Sequence, residues 1–204
     1  MKPKNVISYY VLANKLKETL RTGWVAWEVE ASIAEHVYGT LMLAIAMQSE
    51  YQYDLDFPKT LLMLALHETE EILIGDITPF ENSRQEKLER GREAVIEVFK
   101  TLANRQELEK LIFEYDERET PEAKFAYQCD KLECDLQCKI YDEKGLINLH
   151  GQEYKPECSN DFVRELLKEE PSFSDAWIKF TESYANYDEN FRAVAEYARK
   201  NKIL

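Results

Sequence analysis

The sequence predicts an all-α protein, and three observations support this fold class. Hydrophobic residues recur at helical spacing, whereas the alternating pattern typical of β-strands is almost absent. Glycine and proline are scarce, at six residues each. Several helix starts carry a polar N-cap residue followed by a proline in the first turn. Because 204 residues normally form one core, we expect a helical bundle in a single domain spanning residues 1–204.

The first three predicted helices carry apolar residues for the core. Residues 5–20 form an amphipathic helix, and residues 33–49 form a second helix that is apolar on most sides. A third helix begins where Asp56 acts as the N-cap and Pro58 stands in the first turn. It runs through KTLLMLALHETEEIL to Gly75, a residue type that commonly ends helices.

A long charged helix is predicted next. The segment TPFE places Thr78 at the N-cap, Pro79 in the first helical position and Glu81 in the capping-box position. The helix extends to about Asn104. Its many charged side chains indicate that it lies at the surface.

Another start signal, Thr120 followed by Pro121, opens a helix that continues to Gly145. Apolar residues and cysteine mark one face of this helix: Phe125, Cys129, Leu132, Leu136 and Ile140. Residues 146–156 are expected to form a loop.

The last part of the chain, residues 146–204, is expected to contribute C-terminal helices that pack on the bundle. One helix is predicted near residues 159–169, and an aromatic-rich last helix is predicted from about Ser172.

The charge and hydropathy of the chain argue against several classes of partner. With 39 acidic and 26 basic residues, the net charge of −13 repels a phosphate backbone, so duplex nucleic acid is not expected. No apolar run approaches the roughly 20 residues of a membrane span, so no membrane partner is expected. The N-terminal segment carries charge throughout and lacks the apolar core of a signal peptide. We expect a cytoplasmic protein that binds a small molecule.

The four cysteines do not have the spacing of a zinc site. Cys129, Cys134 and Cys138 fall in one predicted helix without a CxxC motif, and Cys158 follows separately. We therefore expect reduced, mostly buried thiols.

A histidine and several carboxylates stand at the end of the apolar run LLMLAL. On a continuous helix, His67 and Glu71 are four residues apart and share one face, while Glu68 reaches the same point from the side. A buried histidine beside carboxylates needs partners, and a divalent metal satisfies imidazole and carboxylate together. The alternative is a solvated acidic helix end.

Two further residues strengthen the metal hypothesis. His36 lies near the start of the apolar helix SIAEHVYGTLMLAIAM, and Asp130 lies inside a helix populated by apolar residues and cysteines. Taken singly, His36 is compatible with a hydrogen-bonded core histidine and Asp130 with a surface charge. Two histidines on apolar helices favour a shared metal.

Four segments, taken in order, resemble the HD-domain phosphohydrolases. The metal signature of that family is a histidine, then a histidine–acid doublet, then a distant aspartate. Here RTGWV is followed by SIAEHVYGTLMLA, ALHETEEILIGDITP and YQCDKLECDLQ, which is similar to the 5'-deoxynucleotidase branch. The resemblance covers residues 5–145, with the core motifs in residues 21–145, and it implies an HD-domain helical bundle.

The resemblance also implies roles for individual residues. It makes four residues the ligands of one divalent metal: His36, His67, Glu68 and Asp130. Glu71 and Asp76 correspond to the acid pair of the family's E-x4-D segment, and Asp76 is the catalytic candidate. Arg21 and Trp24 match the substrate-facing segment, which places Arg21 at the phosphate and Trp24 at the sugar or in the pocket wall. For Arg21 and Asp76, a helix-end charge and simple turn chemistry are the respective alternatives.

One position departs from the family pattern. The doublet is His67–Glu68, whereas the family name records histidine–aspartate. Three interpretations follow: an active enzyme with an adjusted metal, an enzyme of different metal preference, or a binding protein that has lost its chemistry. The presence of all the other matched positions favours activity. The mixed nitrogen and oxygen donors suit Mn²⁺ or Co²⁺ best, with Mg²⁺ as an alternative.

The implied function is removal of the 5'-phosphate from a nucleoside monophosphate, with a deoxynucleotide as the expected substrate and a homodimer as the expected assembly. A catalytically silent nucleotide sensor is one alternative. A hydrolase of another nucleotide, such as a cyclic nucleotide or an alarmone, is a second.

Overall fold

The computed structural model describes residues 2–22, 29–77, 84–150, 152 and 155–204. Within these ranges the chain is helical, and its β-structure is limited to one isolated antiparallel bridge between Leu20 and Ser32. The prediction of an all-α fold is confirmed. Across the same ranges, no helix is both long enough and apolar enough to span a membrane.

A 3-10 helix, Asn14–Lys17, continues directly from the first α-helix. The α-helices of the described chain are α1 (Lys2–Ala13), α2 (Ile33–Tyr51), α3 (Phe57–Leu66), α4 (Glu71–Ile74), α5 (Arg84–Phe99), α6 (Arg105–Glu117), α7 (Pro121–Glu143), α8 (Pro156–Ser159), α9 (Asp161–Glu169), α10 (Phe173–Ala185) and α11 (Glu189–Lys200).

The described residues pack as two compact units. The first comprises residues 2–22 and 30–127, and the second comprises residues 29 and 128–204. Helix α7 contributes its first two turns to the first unit and the rest of its length to the second. The expectation of a single domain over residues 1–204 stays a prediction.

The core of the first unit is built around α5, which corrects the expectation that this charged helix lies at the surface. Val95, Val98 and Phe99 are buried and pack with Ile72 of α4 and Ile112 of α6. The charged residues of α5 occupy its other faces, so a high charge content did not prevent one apolar face from being buried. The predicted start of this helix at Thr78, Pro79 and Glu81 lies outside the described residues.

The third predicted helix is interrupted. Its start is as predicted, since the Asp56 side chain accepts a hydrogen bond from the backbone N–H of Lys59 at 3.1 Å. However, α3 ends at Leu66, and the backbone N–H of Thr69 then donates to the Leu66 carbonyl three residues earlier. Such bonds tighten the chain relative to an α-helix. The separate helix α4 then ends at Gly75, which has φ +73°, as its predicted stop.

Two other helical segments differ from prediction. The first predicted helix ends as an α-helix at Ala13 and continues only as the 3-10 turn. The predicted last helix is two helices, because Asn186 adopts the left-handed conformation at φ 54° and Asp188 caps a new helix. The helix α6 was not predicted, although Asn104 stands at its N-cap and Glu107 follows three residues later.

Helix α7 matches its prediction. The backbone N–H of Ala123 donates to Thr120 Oγ1 at 3.2 Å, and Gly145 has φ +71° just beyond the helix end. Phe125 and Leu132 of the predicted apolar face are buried. All four cysteines are free thiols, and three of them are buried, as expected.

A buried carboxyl group on α7 makes the stability of the protein depend on pH. Asp135 is fully buried, and its Oδ2 accepts a hydrogen bond from the Tyr187 hydroxyl at 2.9 Å. Burial raises the pKa of Asp135 well above its usual range, and the hydrogen bonds from Thr181 and Tyr187 oppose this only in part. The folded protein therefore binds a proton at Asp135 that the unfolded chain releases near pH 4.

We expect Asp135→Asn to remove this dependence. In the unmutated protein, the stabilisation from the raised pKa is complete below about pH 4 and is lost at about 1.4 kcal/mol per pH unit as the pH rises toward the folded-state pKa. Asparagine stays neutral and keeps an acceptor for Tyr187. We measure the unfolding free energy of both proteins in denaturant between pH 4 and 7. The value for the variant minus the value for the unmutated protein should become more positive as the pH rises. The result would be contradicted if the unfolding free energy of Asp135→Asn and of the unmutated protein changed with pH in parallel. The exposed control Asp54→Asn is expected to give such parallel curves.

Candidate functional site

The end of α3 positions the first histidine of the candidate site. His67 follows the last residue of α3 and is 2% exposed. Its Nδ1 lies 2.7 Å from the backbone carbonyl of Leu64, one of the terminal carbonyls that helices leave incompletely paired. Because a carbonyl can only accept, Nδ1 carries the proton, and the Nε2 lone pair points away from α3. This is the tautomer that a metal-binding histidine requires.

The start of α2 positions the second histidine. Ser32 and Glu35 form a reciprocal capping box, in which Ser32 Oγ accepts from the Glu35 N–H and the Glu35 carboxylate accepts from the Ser32 N–H. This cap sets where the first turn begins and thereby places His36, which is also 2% exposed. The rings of His36 and His67 meet edge to face, with centroids 5.3 Å apart.

Glu68 completes a triangle of potential ligand atoms in the first unit. His36 Nε2 lies 3.3 Å from His67 Nε2 and 3.4 Å from Glu68 Oε1, while His67 Nε2 lies 3.5 Å from Glu68 Oε1. The centre of this nearly equilateral triangle lies at the mean side divided by √3 from each corner, which is about 2.0 Å. This is the usual length of a metal bond to imidazole nitrogen or carboxylate oxygen. The three side chains therefore fit a divalent metal.

The fourth predicted ligand, Asp130, lies on α7 within the second unit. Its side chain is almost fully buried, and its Oδ2 lies 2.7 Å from Lys131 Nζ. A buried carboxylate in a helix interior requires compensating partners. Its role as a metal ligand stays a prediction.

The predicted acid pair lies beyond the break in the helix. Because α3 ends before His67, Glu71 is not on a continuous helix with it, and the expected shared helical face is wrong. Glu71 is buried, and its Oε2 has no hydrogen-bond partner among the described residues. Burial, together with the charges of Glu68 and Asp76, raises the pKa of Glu71 well above its usual range, and Lys87 opposes this.

Asp76 is held from a distant part of the chain. Its Oδ2 accepts hydrogen bonds from the Thr22 backbone N–H at 2.6 Å and from Thr22 Oγ1 at 3.2 Å. The segment that carries Thr22 is itself anchored, since the Arg21 N–H donates to the Ala31 carbonyl at 2.9 Å. Arg21 is half-buried in this segment, whereas Trp24 lies outside the described residues.

Two residues of this site were missed in the sequence. Thr22 lies inside the RTGWV segment, so its position next to Arg21 was a signal that could have been used. Lys87 Nζ donates to the Ile77 carbonyl at 2.7 Å and lies 3.8 Å from Glu71 Oε1. Lys87 stands in the charged run RQEKLERGRE, where nothing distinguishes it from its neighbours.

Comparison with known proteins supports the resemblance found in the sequence. A model of the HD domain matches residues 13–183. The protein named 5'-deoxynucleotidase HDDC2 from Dictyostelium discoideum is 32% identical over 69% of this chain and 79% of its own length. The 5'-deoxynucleotidase hdd1 from Schizosaccharomyces pombe is 31% identical over 70% of this chain and 75% of its own.

A solved structure shares the fold. The predicted metal-dependent phosphohydrolase from Magnetospirillum magnetotacticum superposes with a TM-score of 0.68 at 24% identity, covering 96% of this chain and 89% of its own. Together with the sequence relatives, this similarity means that the chain belongs to the HD-domain family, in the branch of the 5'-deoxynucleotidases.

Proposed function

We propose that this chain is a metal-dependent phosphohydrolase that removes the 5'-phosphate from nucleoside monophosphates, with deoxynucleotides as the preferred substrates. The observation that carries the proposal is the triangle of His36 Nε2, His67 Nε2 and Glu68 Oε1, whose dimensions fit one divalent metal. The names of the relatives supply the substrate class.

His36, His67 and Glu68 would hold the metal, with Asp130 proposed as the fourth ligand. The burial of both imidazoles and the tautomer of His67 support the first three assignments. The burial of the Asp130 carboxylate supports the last. The mixed nitrogen and oxygen donors favour Mn²⁺ or Co²⁺, with Mg²⁺ as an alternative.

When bound, the divalent metal acts as a Lewis acid that polarises a phosphate oxygen. Asp76 orients the attacking water and takes its proton as the water oxygen forms the new bond to phosphorus. The bond between phosphorus and the 5'-oxygen breaks, and the nucleoside leaves after that oxygen gains a proton. The two hydrogen bonds from Thr22 hold the Asp76 carboxylate in one orientation for this step.

Arg21 binds the phosphate of the substrate, because a planar guanidinium pairs with phosphate oxygens through two parallel hydrogen bonds. Its neighbour Thr22 contacts Asp76, which supports a location of Arg21 near the reacting group. Trp24 is assigned to the sugar on the basis of the family resemblance, since a bulky ring beside the sugar excludes a 2'-hydroxyl.

A screen of phosphate release tests the function. We expect the metal-loaded protein to release phosphate from deoxynucleoside monophosphates, with Mn²⁺ or Co²⁺ giving the highest rates. Cyclic nucleotides and alarmones serve as competing substrates in the same assay. Saturable binding of a nucleoside monophosphate without phosphate release for any metal would instead favour the silent sensor.

Replacing the proposed base should remove turnover but not the metal. Asp76→Asn keeps the shape of the side chain and an acceptor for Thr22, but it cannot take a proton. We expect kcat to fall by about two to four orders of magnitude, the range for loss of a general base. Metal content by elemental analysis should be unchanged. Survival of activity at the level of the control Asp161→Asn, whose side chain is 97% exposed, would refute the assignment.

Substitutions of Glu68 test the unusual doublet. Glu68→Gln removes the ligand charge, so metal affinity and activity should fall together, by about 10-fold or more. Glu68→Asp should keep the metal and much of the activity, with a changed preference among Mn²⁺, Co²⁺ and Mg²⁺. Metal affinity is measured by titration against a chelator. The matched control is Glu50→Gln, at an exposed position on α2. Unaltered metal affinity in Glu68→Gln would remove Glu68 from the ligand set.

A further inference from the structure

Lys87 reaches from α5 to both sides of the residue proposed as the base. Its Nζ donates a hydrogen bond to the backbone carbonyl of Ile77 at 2.7 Å, immediately after Asp76. The same Nζ lies 3.8 Å from Oε1 of Glu71, five residues before Asp76. One ammonium group therefore contacts the chain before and after the turn that carries the Asp76 carboxylate.

This turn depends on contacts from other segments for its shape. The last backbone bond of α4 runs from the Gly75 N–H to the Glu71 carbonyl at 3.0 Å. Gly75 then adopts φ +73°, which glycine reaches without strain. Because glycine has many other allowed backbone conformations, Gly75 does not fix the shape of the turn by itself. Ile77 is buried, and without Lys87 its carbonyl loses a donor, which carries a free-energy cost.

The charge of Lys87 also acts on the turn. Glu71 is buried, and repulsion from Glu68 and Asp76 adds to burial in disfavouring its charged form, which raises its pKa. Lys87 is the cation that opposes this repulsion. With the ammonium removed, the Glu71 carboxyl group loses its contact with Lys87 Nζ, and the chain before the turn is held less firmly.

We propose that Lys87 is a positioning residue for catalysis: it holds the Ile77 carbonyl and the Glu71 carboxyl group so that Asp76 stays directed at the attacking water. This inference rests on the proposed function, because it assigns Lys87 to the same reaction. Lys87 does not contact the three proposed metal ligands of the first unit through any described hydrogen bond or ion pair. Its loss should therefore affect the chemical step more than the binding of metal or substrate.

The first test separates positioning from general stability. Lys87→Met keeps most of the aliphatic stem but removes the charge and the donor, and Lys87→Arg restores both. Lys100→Met is the matched control, because Lys100 is an exposed lysine beside α5 that pairs only with Glu97 in the described contacts. We expect Lys87→Met to lower kcat by about 10- to 100-fold, with KM within about twofold and metal content unchanged. Lys87→Arg should recover most of kcat.

Equal values of kcat for Lys87→Met and Lys100→Met would overturn the proposal. So would a loss in Lys87→Met that Lys87→Arg does not recover, since a guanidinium can make the same two contacts.

The second test does not depend on activity. The Thr22 N–H bonds to Asp76 Oδ2 at 2.6 Å, so its hydrogen exchange reports whether Asp76 keeps its position. We expect exchange at Thr22 to be faster in Lys87→Met than in Lys100→Met, at matched overall stability measured by thermal unfolding. Unchanged exchange would overturn the positioning role. If the unmutated protein releases no phosphate, the proposed function fails, and exchange at Thr22 alone decides whether Lys87 positions Asp76.

Discussion

At the end of α3, the Leu64 carbonyl accepts a hydrogen bond from His67 Nδ1, and the geometry of the candidate metal centre depends on this contact. It fixes the ring and the tautomer together, so that the Nε2 lone pair faces His36 Nε2 and Glu68 Oε1 at similar distances. A helix that continued past Leu66 would use its terminal carbonyls for backbone bonds. The break in the helix is therefore what makes His67 a suitable ligand.

The same break contains two of the proposed metal ligands and sets them apart from the proposed base. His67 and Glu68 precede α4, while Asp76 follows it, beyond Gly75. A carboxylate placed after a glycine has few local constraints, and here it is held by hydrogen bonds from Thr22, 54 residues earlier in the chain. Reactive groups on separate short elements can be oriented independently of one another. Their orientation then depends on contacts between segments that are distant in the chain.

Electrostatics sets a second constraint on the site. The chain carries a net charge of −13, and the proposed substrate is itself an anion. Glu68 and Asp76 add local negative charge, which opposes phosphate binding unless cations offset it. In the proposed function, three cations offset this negative charge near the phosphate: the divalent metal, Arg21 and Lys87. In this way a strongly acidic protein can bind a small phosphate ester.

The sequence by itself determined the all-α fold and several helix starts, because caps and hydrophobic periodicity act between residues a few positions apart. The Asp56 cap is an example. The family was indicated separately, by the resemblance of four motifs in order. Tertiary structure alone decided that the helix breaks before His67, that α5 buries one face, and that Thr22 and Lys87 reach the turn at Asp76. These features follow from packing between segments far apart in the chain, where the local pattern of a charged or polar residue is the same whether it faces solvent or the site.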